Sequence, residues 1–184
     1  MKNLIQFQKA SSTHQETIFS WLASPHVREF WDNSPEHKTD IKLFISGRKQ
    51  PSNYFDGIFS YWVGLFHKEP YSLVMTSTVY ADDSCPELWR QNLSLQGTTI
   101  SIDFCIGTLN YLGKGLAAPT LEAFVKFFNE TVDPKADTFF IDPNKDNLRA
   151  THVYEKAGFK LIGSFAAEQG FFIGKESFLM IKKL

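Results

Sequence analysis

The residues whose types and spacing could do chemistry lie in the second half of the chain. Gly113-Lys114-Gly115 follows a long apolar run, residues 98–107, that reads as a strand, and it opens a run to about residue 129 that reads as a helix. Small residues at 113, 115 and 117 let the backbone come close to a ligand. N–H groups at a helix start point outward, and the helix dipole adds positive potential there. Lys114 adds a full charge, so the loop suits a diphosphate. Within the strand, Asp103 stands between Ile102 and Phe104. A carboxylate in the middle of an apolar strand is costly to bury without a partner, which marks it as a candidate site residue. The plain alternative is a structural Asp that pairs with a nearby Lys or caps a loop. Asp103 and Cys105 face one side of the strand, Phe104 and Ile106 the other. Asp142 closes a short apolar strand, residues 138–141, and ligands favour such carboxyl ends in α/β crossovers. Followed by Pro143, it also fits ordinary turn chemistry. Asn147 and Tyr154 are seven residues apart, two turns along one helix face.

Three phosphate-binding patterns compete for the glycine loop. A Walker loop needs four residues between its first Gly and the Gly-Lys pair, then Ser or Thr. Here five separate Gly107 from Gly113, and Gly115 follows Lys114. A dinucleotide loop needs G-x-G-x-x-G inside repeated βαβ units, and the strands before this loop read as antiparallel. Coenzyme A is the third reading. A plain strand-to-helix turn is the alternative to all three.

The elements that must position these residues are legible in outline. Residues 4–10 read as an opening strand. Ser11 to Thr13 offer helix caps before a stripe of Ile18, Trp21 and Leu22. Ser24-Pro25 ends that helix, and a second short one carries Val27, Phe30 and Trp31. Residues 32–51 are polar and irregular, with a helix expected over 40–46. Strands are expected over 59–66 and 71–80, joined by a four-residue turn at 67–70. The last third alternates: helix to 129 with Leu116, Thr120, Ala123, Phe124, Phe127 and Phe128 inward, strand 138–141, helix 147–157 capped by Asp146 and ended by Gly158, then strands 159–165 and 172–181. This implies an α+β fold: a mixed, mostly antiparallel central sheet with a parallel βαβ crossover and flanking helices.

Composition bounds the partners. The 184 residues suit one domain, 1–184, and 43% hydrophobic and 15% aromatic content with 18 Phe is globular. A formal net charge of −1 gives no electrostatic case for nucleic acid or an anionic membrane. Two cysteines make no disulfide framework, the five histidines show no metal spacing, and no metal is expected. The first ten residues lack the apolar core of a signal peptide, and no apolar run approaches a membrane span. A cytoplasmic protein with a small-molecule partner is the expectation; oligomeric state is not legible.

The loop has a companion. Asn147-Leu148-Arg149-Ala150 followed by Tyr154-Glu155-Lys156-Ala157-Gly158-Phe159 resembles the closing motif of the GCN5-related N-acetyltransferase (GNAT) superfamily, and residues 112–117 resemble its pyrophosphate motif. Leu112 departs from the Arg or Gln that many members carry there. Within the superfamily the chain is most similar to the aminoglycoside 6'-N-acetyltransferases, on Ile102-Asp103-Phe104-Cys105-Ile106-Gly107, Leu112-Gly113-Lys114-Gly115-Leu116 and Asp142-Pro143, with Trp31 and Trp89.

The resemblance implies acetyl-coenzyme A as co-substrate and a primary amine of a small polycationic acceptor as the target. Leu112, Gly113, Lys114, Gly115, Leu116 and Ala117 would hold the diphosphate. Backbone groups of Phe104, Cys105 and Ile106 would pair with the pantetheine arm, and Asn147 would hydrogen-bond it. An N–H near Cys105 or Ile106 would hold the thioester oxygen as charge develops. An amine attacks only when unprotonated, so a carboxylate that binds the ammonium and takes its proton answers a real need; Asp103 is the candidate, with Asp142 holding the amine or sharing the proton. Tyr154 would protonate the departing thiolate, or else pack beside Phe159. Trp31, Asp32, Asp82, Asp83, Glu87 and Trp89 could wall the acceptor, although loop charges are ordinarily just solvated. The resemblance leaves open a siderophore-type lysine N-acyltransferase, whose members tend to carry His where Asp103 stands, a protein N-acetyltransferase, and a non-catalytic coenzyme A sensor.

Overall fold

The structure, a computed structural model, describes residues 4–82, 85–166 and 173–184. Expectations for Asp83 and for the start of the last strand at Phe172 lie outside the described residues. The strands are β1 Ile5–Lys9, β2 Ser60–Phe66, β3 Glu69–Thr78, β4 Thr98–Ile106, β5 Ala136–Ile141, β6 Lys160–Ala166 and β7 Glu176–Lys183. The helices are α1 Gln15–Ala23, α2 Pro25–Arg28, α3 Pro35–Ile45, α4 Glu87–Arg90, α5 Ala117–Phe127 and α6 Leu148–Lys156. The sheet order is β1-β2-β3-β4-β5-β7-β6, with β4 and β5 parallel. This is the mixed sheet with one parallel crossover that the element order implies.

Two compact units share the chain: Met1–Ser77 with Phe104–Thr120, and Thr78–Asp103 with Leu121–Leu184. In the first, α1 and α2 bury Ile18, Trp21, Leu22 and Val27 with Ile41 of α3 and Val63, Leu65 and Leu73 of β2 and β3. Helix α3 starts five residues before the expected 40–46. Ser34 is its N-cap, accepting the His37 N–H at 3.1 Å, and Pro35 takes the first helical position, where a missing N–H costs nothing. Asp40 is fully buried in this unit. It accepts a two-pronged bond from Arg48 and bonds from Ser52 and, at 2.7 Å, from the Tyr61 hydroxyl. Arg48 also reaches Phe59 O at 3.0 Å, so one carboxylate ties residues 48–59 to α3. Removing one partner of such a pair strands a buried charge and costs about 3–5 kcal/mol. The turn between β2 and β3 has two residues rather than four: His67 (φ 51°) and Lys68 (φ 70°) both adopt the left-handed conformation of a tight hairpin.

In the second unit, Phe140, Leu179 and Ile181 form the buried centre against Val79, Leu88, Trp89, Leu93 and Phe165. β7 pairs antiparallel with both β5 and β6. Helix α6 is capped by Asn147 rather than Asp146, its Oδ1 accepting Ala150 N–H at 3.1 Å. Gly158 (φ 88°) ends it as expected, with Phe159 N–H returning to Tyr154 O at 3.0 Å.

Candidate active site

The β4–β5 ladder sets the geometry. Its last rung is Ser101↔Phe140, β5 ends at Ile141, and β4 runs on to Ile106. Two residues past that rung on each strand stand Asp103 and Asp142. Side chains two apart on a strand share a face, so the parallel register itself brings the two carboxyls to the same place. Asp142 is held there by its turn: Pro143 O accepts Phe178 N–H at 3.0 Å and Lys145 N–H donates to Glu176 O at 2.9 Å. Asn144 Oδ1 accepts Asp146 N–H and Asn144 O accepts Asn147 N–H, both at 2.9 Å.

Both carboxyls keep some exposure to solvent, yet burial dominates their chemistry. It pushes Asp103 up from the usual 3.8 to about 6. Burial first, and then the neighbouring charge of Asp103, pushes Asp142 well above the ordinary carboxylate range, with its own backbone N–H opposing. Two carboxyls that resist ionising together favour a bound cation and hold a proton more readily than free acids do.

Backbone parity says which groups of β4 face the edge that β5 vacates. Val79 N–H donates to Thr99 O and Gly107 N–H to Tyr71 O, both at 2.9 Å, whereas Thr98 N–H donates to Lys135 O at 2.7 Å. Odd residues of β4 thus turn their backbone toward β3 and even ones toward β5. Phe104 and Ile106 point to the vacated edge; the backbone of Cys105 points to the β3 side. His26 Nε2 lies 3.0 Å from Ile106 O, and since a carbonyl only accepts, Nε2 carries the proton. A ligand along this edge would meet both backbone groups of Phe104 and the N–H of Ile106.

In the loop, Gly113 (φ 74°) and Gly115 (φ 71°) are exposed and left-handed, and a Cβ at either would meet nothing within 4 Å. The glycines answer a backbone requirement, and the space above them is open. Lys114 is exposed, Leu112 and Ala117 are half-buried, and Leu116 is buried. Helix α5 starts at Ala117, with first-turn N–H groups that lack helical acceptors. Among the described residues, no group of three or more His, Cys, Asp or Glu could hold a metal ion, and no helix is long and apolar enough to cross a membrane.

The other expected residues are placed as follows. Tyr154 is buried on α6 with its ring centroid 6.4 Å from that of Phe159. Asn147 spends its Oδ1 on the helix cap, so the Nδ2 donors are what it can offer a ligand. Asp32 is buried, and its two oxygens accept Ser34 N–H at 2.7 Å and Ser34 Oγ–H at 2.8 Å. Trp31 packs on the core of the first unit, 6.1 Å from the His37 ring. Trp89 stands edge-on to Phe140 at 5.4 Å and Phe165 at 5.6 Å. Asp82 and Glu87 are exposed. His26 and Tyr71, whose bonds to the end of β4 and the residues after it join positions more than 35 residues apart, carry no local signature in the sequence.

The acetyltransferase (GNAT) domain profile matches residues 10–167. The chain belongs to the GNAT acetyltransferase family. As a member of it, the chain is an acetyl-coenzyme A-dependent acetyltransferase. An aminoglycoside N(6')-acetyltransferase type 1 of Klebsiella pneumoniae is 26% identical over 154 residues, 83% of this chain and 72% of that protein. Two solved structures carry the same fold. An aminoglycoside N(6')-acetyltransferase from Legionella pneumophila has a TM-score of 0.73 at 22% identity, over 97% of this chain and 91% of its own. The aminoglycoside acetyltransferase AAC(6')-Ib, in complex with coenzyme A and kanamycin, has a TM-score of 0.71 at 20% identity, over 97% and 94%.

Proposed function

We propose that this GNAT enzyme acetylates a primary amine of a small polycationic acceptor of the aminoglycoside kind, by direct attack on the thioester of acetyl-coenzyme A. The carrying observation is the paired carboxyls Asp103 and Asp142, two residues beyond the last β4–β5 rung, where the strand edge lies open. The aminoglycoside acetyltransferases of known sequence and structure support the acceptor class.

In this reading the loop at 112–117 grips the diphosphate through the N–H groups of Gly115, Leu116 and Ala117 and the Lys114 ammonium, the Leu112 N–H being spent on Leu109 O at 3.0 Å. The backbone of Phe104 pairs with the pantetheine arm, Asn147 adding its Nδ2 donors, while the Ile106 carbonyl stays with His26. Asp103 and Asp142 bind the acceptor's ammonium, and Asp103, with its elevated proton affinity, takes the proton. The freed nitrogen bonds to the thioester carbon, and the Ile106 N–H steadies the carbonyl oxygen as it becomes negative. The C–S bond then breaks, the thiolate takes a proton from Tyr154, and the nitrogen gives up the second proton it loses on becoming an amide, which restores the Tyr154 hydroxyl. Cys105 forms no covalent intermediate. Trp31, Asp32 and Trp89 shape the acceptor side by fixing the loops that carry them.

Thiol release from acetyl-coenzyme A, measured over a panel of amines, tests this. The expected result is turnover on kanamycin-type sugars. Turnover on hydroxylysine or on peptide N-termini alone would replace the acceptor, and coenzyme A binding without turnover on every amine would replace the enzyme with a sensor.

A further inference from the structure

The glycine loop is braced from beneath by one buried side chain. Tyr71 of β3 is fully buried. Its carbonyl accepts the N–H of Gly107 at 2.9 Å and of Thr108 at 3.2 Å, where β4 hands the chain to the loop. Its ring packs edge-on against Tyr111 in the middle of the loop, at 5.4 Å between centroids. Its hydroxyl lies 2.6 Å from Oγ1 of Thr120, also fully buried, at the far end. Thr120 Oγ1 lies 2.6 Å from Leu116 O, which accepts Thr120 N–H as well at 2.9 Å.

The direction of this relay follows from its last member. Leu116 O is a carbonyl and only accepts, so Thr120 Oγ1 donates to it, and the Tyr71 hydroxyl must donate to Thr120 Oγ1. The hydroxyl stays protonated because burial pushes its acidity further from neutrality. Tyr71 thus bonds both ends of residues 107–120 and, through Thr120, fixes the carbonyl at the entrance of α5. The N–H groups of Gly115, Leu116 and Ala117 lie on the peptide units around that carbonyl.

We infer that Tyr71 is a positioning residue for acetyl-coenzyme A: the relay Tyr71–Thr120–Leu116 holds the first turn of α5 at the pitch its N–H groups need to grip the diphosphate. This rests on the coenzyme A reading of the loop. Tyr71→Phe keeps the ring and the backbone bonds and removes only the first donor; Thr120→Val breaks the middle link; Thr120→Ser restores it.

The experiment is titration calorimetry with coenzyme A, alongside the KM for acetyl-coenzyme A and for the acceptor and the melting temperature, on wild type and the three variants. Tyr71→Phe and Thr120→Val are expected to weaken coenzyme A binding and raise the acetyl-coenzyme A KM about tenfold, the scale of one misplaced hydrogen bond. The acceptor KM and kcat stay within about twofold, the double variant is no worse than either single one, and Thr120→Ser recovers most of the affinity. A lowered melting temperature with unchanged coenzyme A affinity in both variants would make the relay merely structural and overturn the inference. A wild type that binds no coenzyme A would instead overturn the reading of the loop.

Discussion

Asp103 and Asp142 meet because the parallel register Ser101↔Phe140, carried two residues further along each strand, places them on one face just where β4 and β5 stop pairing. The raised pKa values of the pair cost the fold stability wherever the carboxyls must ionise. In the unfolded chain the Asp103 carboxyl ionises near its usual 3.8, in the folded protein near about 6. Between those values the folded state holds more protons, so stability falls as pH rises through the window, and the loss is complete above it.

Replacing Asp103 by Asn removes that penalty. Asp103→Asn is therefore expected to melt a few degrees above wild type near pH 7.5, for a gain of about 1–3 kcal/mol. The two proteins should melt together near pH 3.5, where the wild-type carboxyl is itself neutral. Thermal melts at the two pH values check this; coincident melts at both would mean that burial does not tax the carboxylate.

The glycine loop makes a different demand. Gly115 has φ 71° and open space where a Cβ would go. Gly115→Ala meets no clash, so its whole effect is backbone strain of about 1 kcal/mol in a residue that must stay left-handed. The expected outcome is a several-fold higher KM for acetyl-coenzyme A with the acceptor KM unchanged, read from initial rates. Equal changes in both would separate this loop from the acyl donor.

Asn147 has two duties that substitution can divide. Its Oδ1 caps α6, and its Nδ2 is free of that bond. Asn147→Ala should lose about 1 kcal/mol of stability with the cap. Asn147→Asp keeps the cap and loses the donors, so its melting temperature should match wild type while its acetyl-coenzyme A KM rises. An Asn147→Asp enzyme with wild-type KM would leave Asn147 as a cap alone.

Much of this site was legible because its signals are local. The glycine loop, the Asn147–Phe159 stretch and the acid within an apolar strand can each be read from a dozen adjacent residues, and with them the mixed α+β sheet. What escaped depends on pairing across the chain. The register that sets Asp142 beside Asp103, the parity that turns Cys105 toward β3 while Phe104 and Ile106 face the vacated edge, and the hold of His26 on Ile106 O are all set by tertiary contacts. The two-residue hairpin turn is not legible in the sequence because His67 and Lys68 take left-handed conformations without Gly or Asn to announce them. The start of α3 at Pro35 is not legible in the sequence because residues 36–40 are all polar and give its first turn no apolar stripe. The fixed loop at 48–59 is invisible without knowing that Asp40, Arg48, Ser52 and Tyr61 converge.

The central claim is that the Asp103 carboxylate takes the proton of the attacking amine. Its most direct test is kcat/KM for a kanamycin-type acceptor at saturating acetyl-coenzyme A, followed by thiol release from about pH 5 to 9 in wild type and Asp103→Asn. The account predicts a wild-type profile that rises through about pH 6, and an Asp103→Asn enzyme slower by about 10²–10⁴-fold that has lost that rise yet binds acetyl-coenzyme A normally. An Asp103→Asn enzyme with near-wild-type turnover and the same rising limb would contradict it.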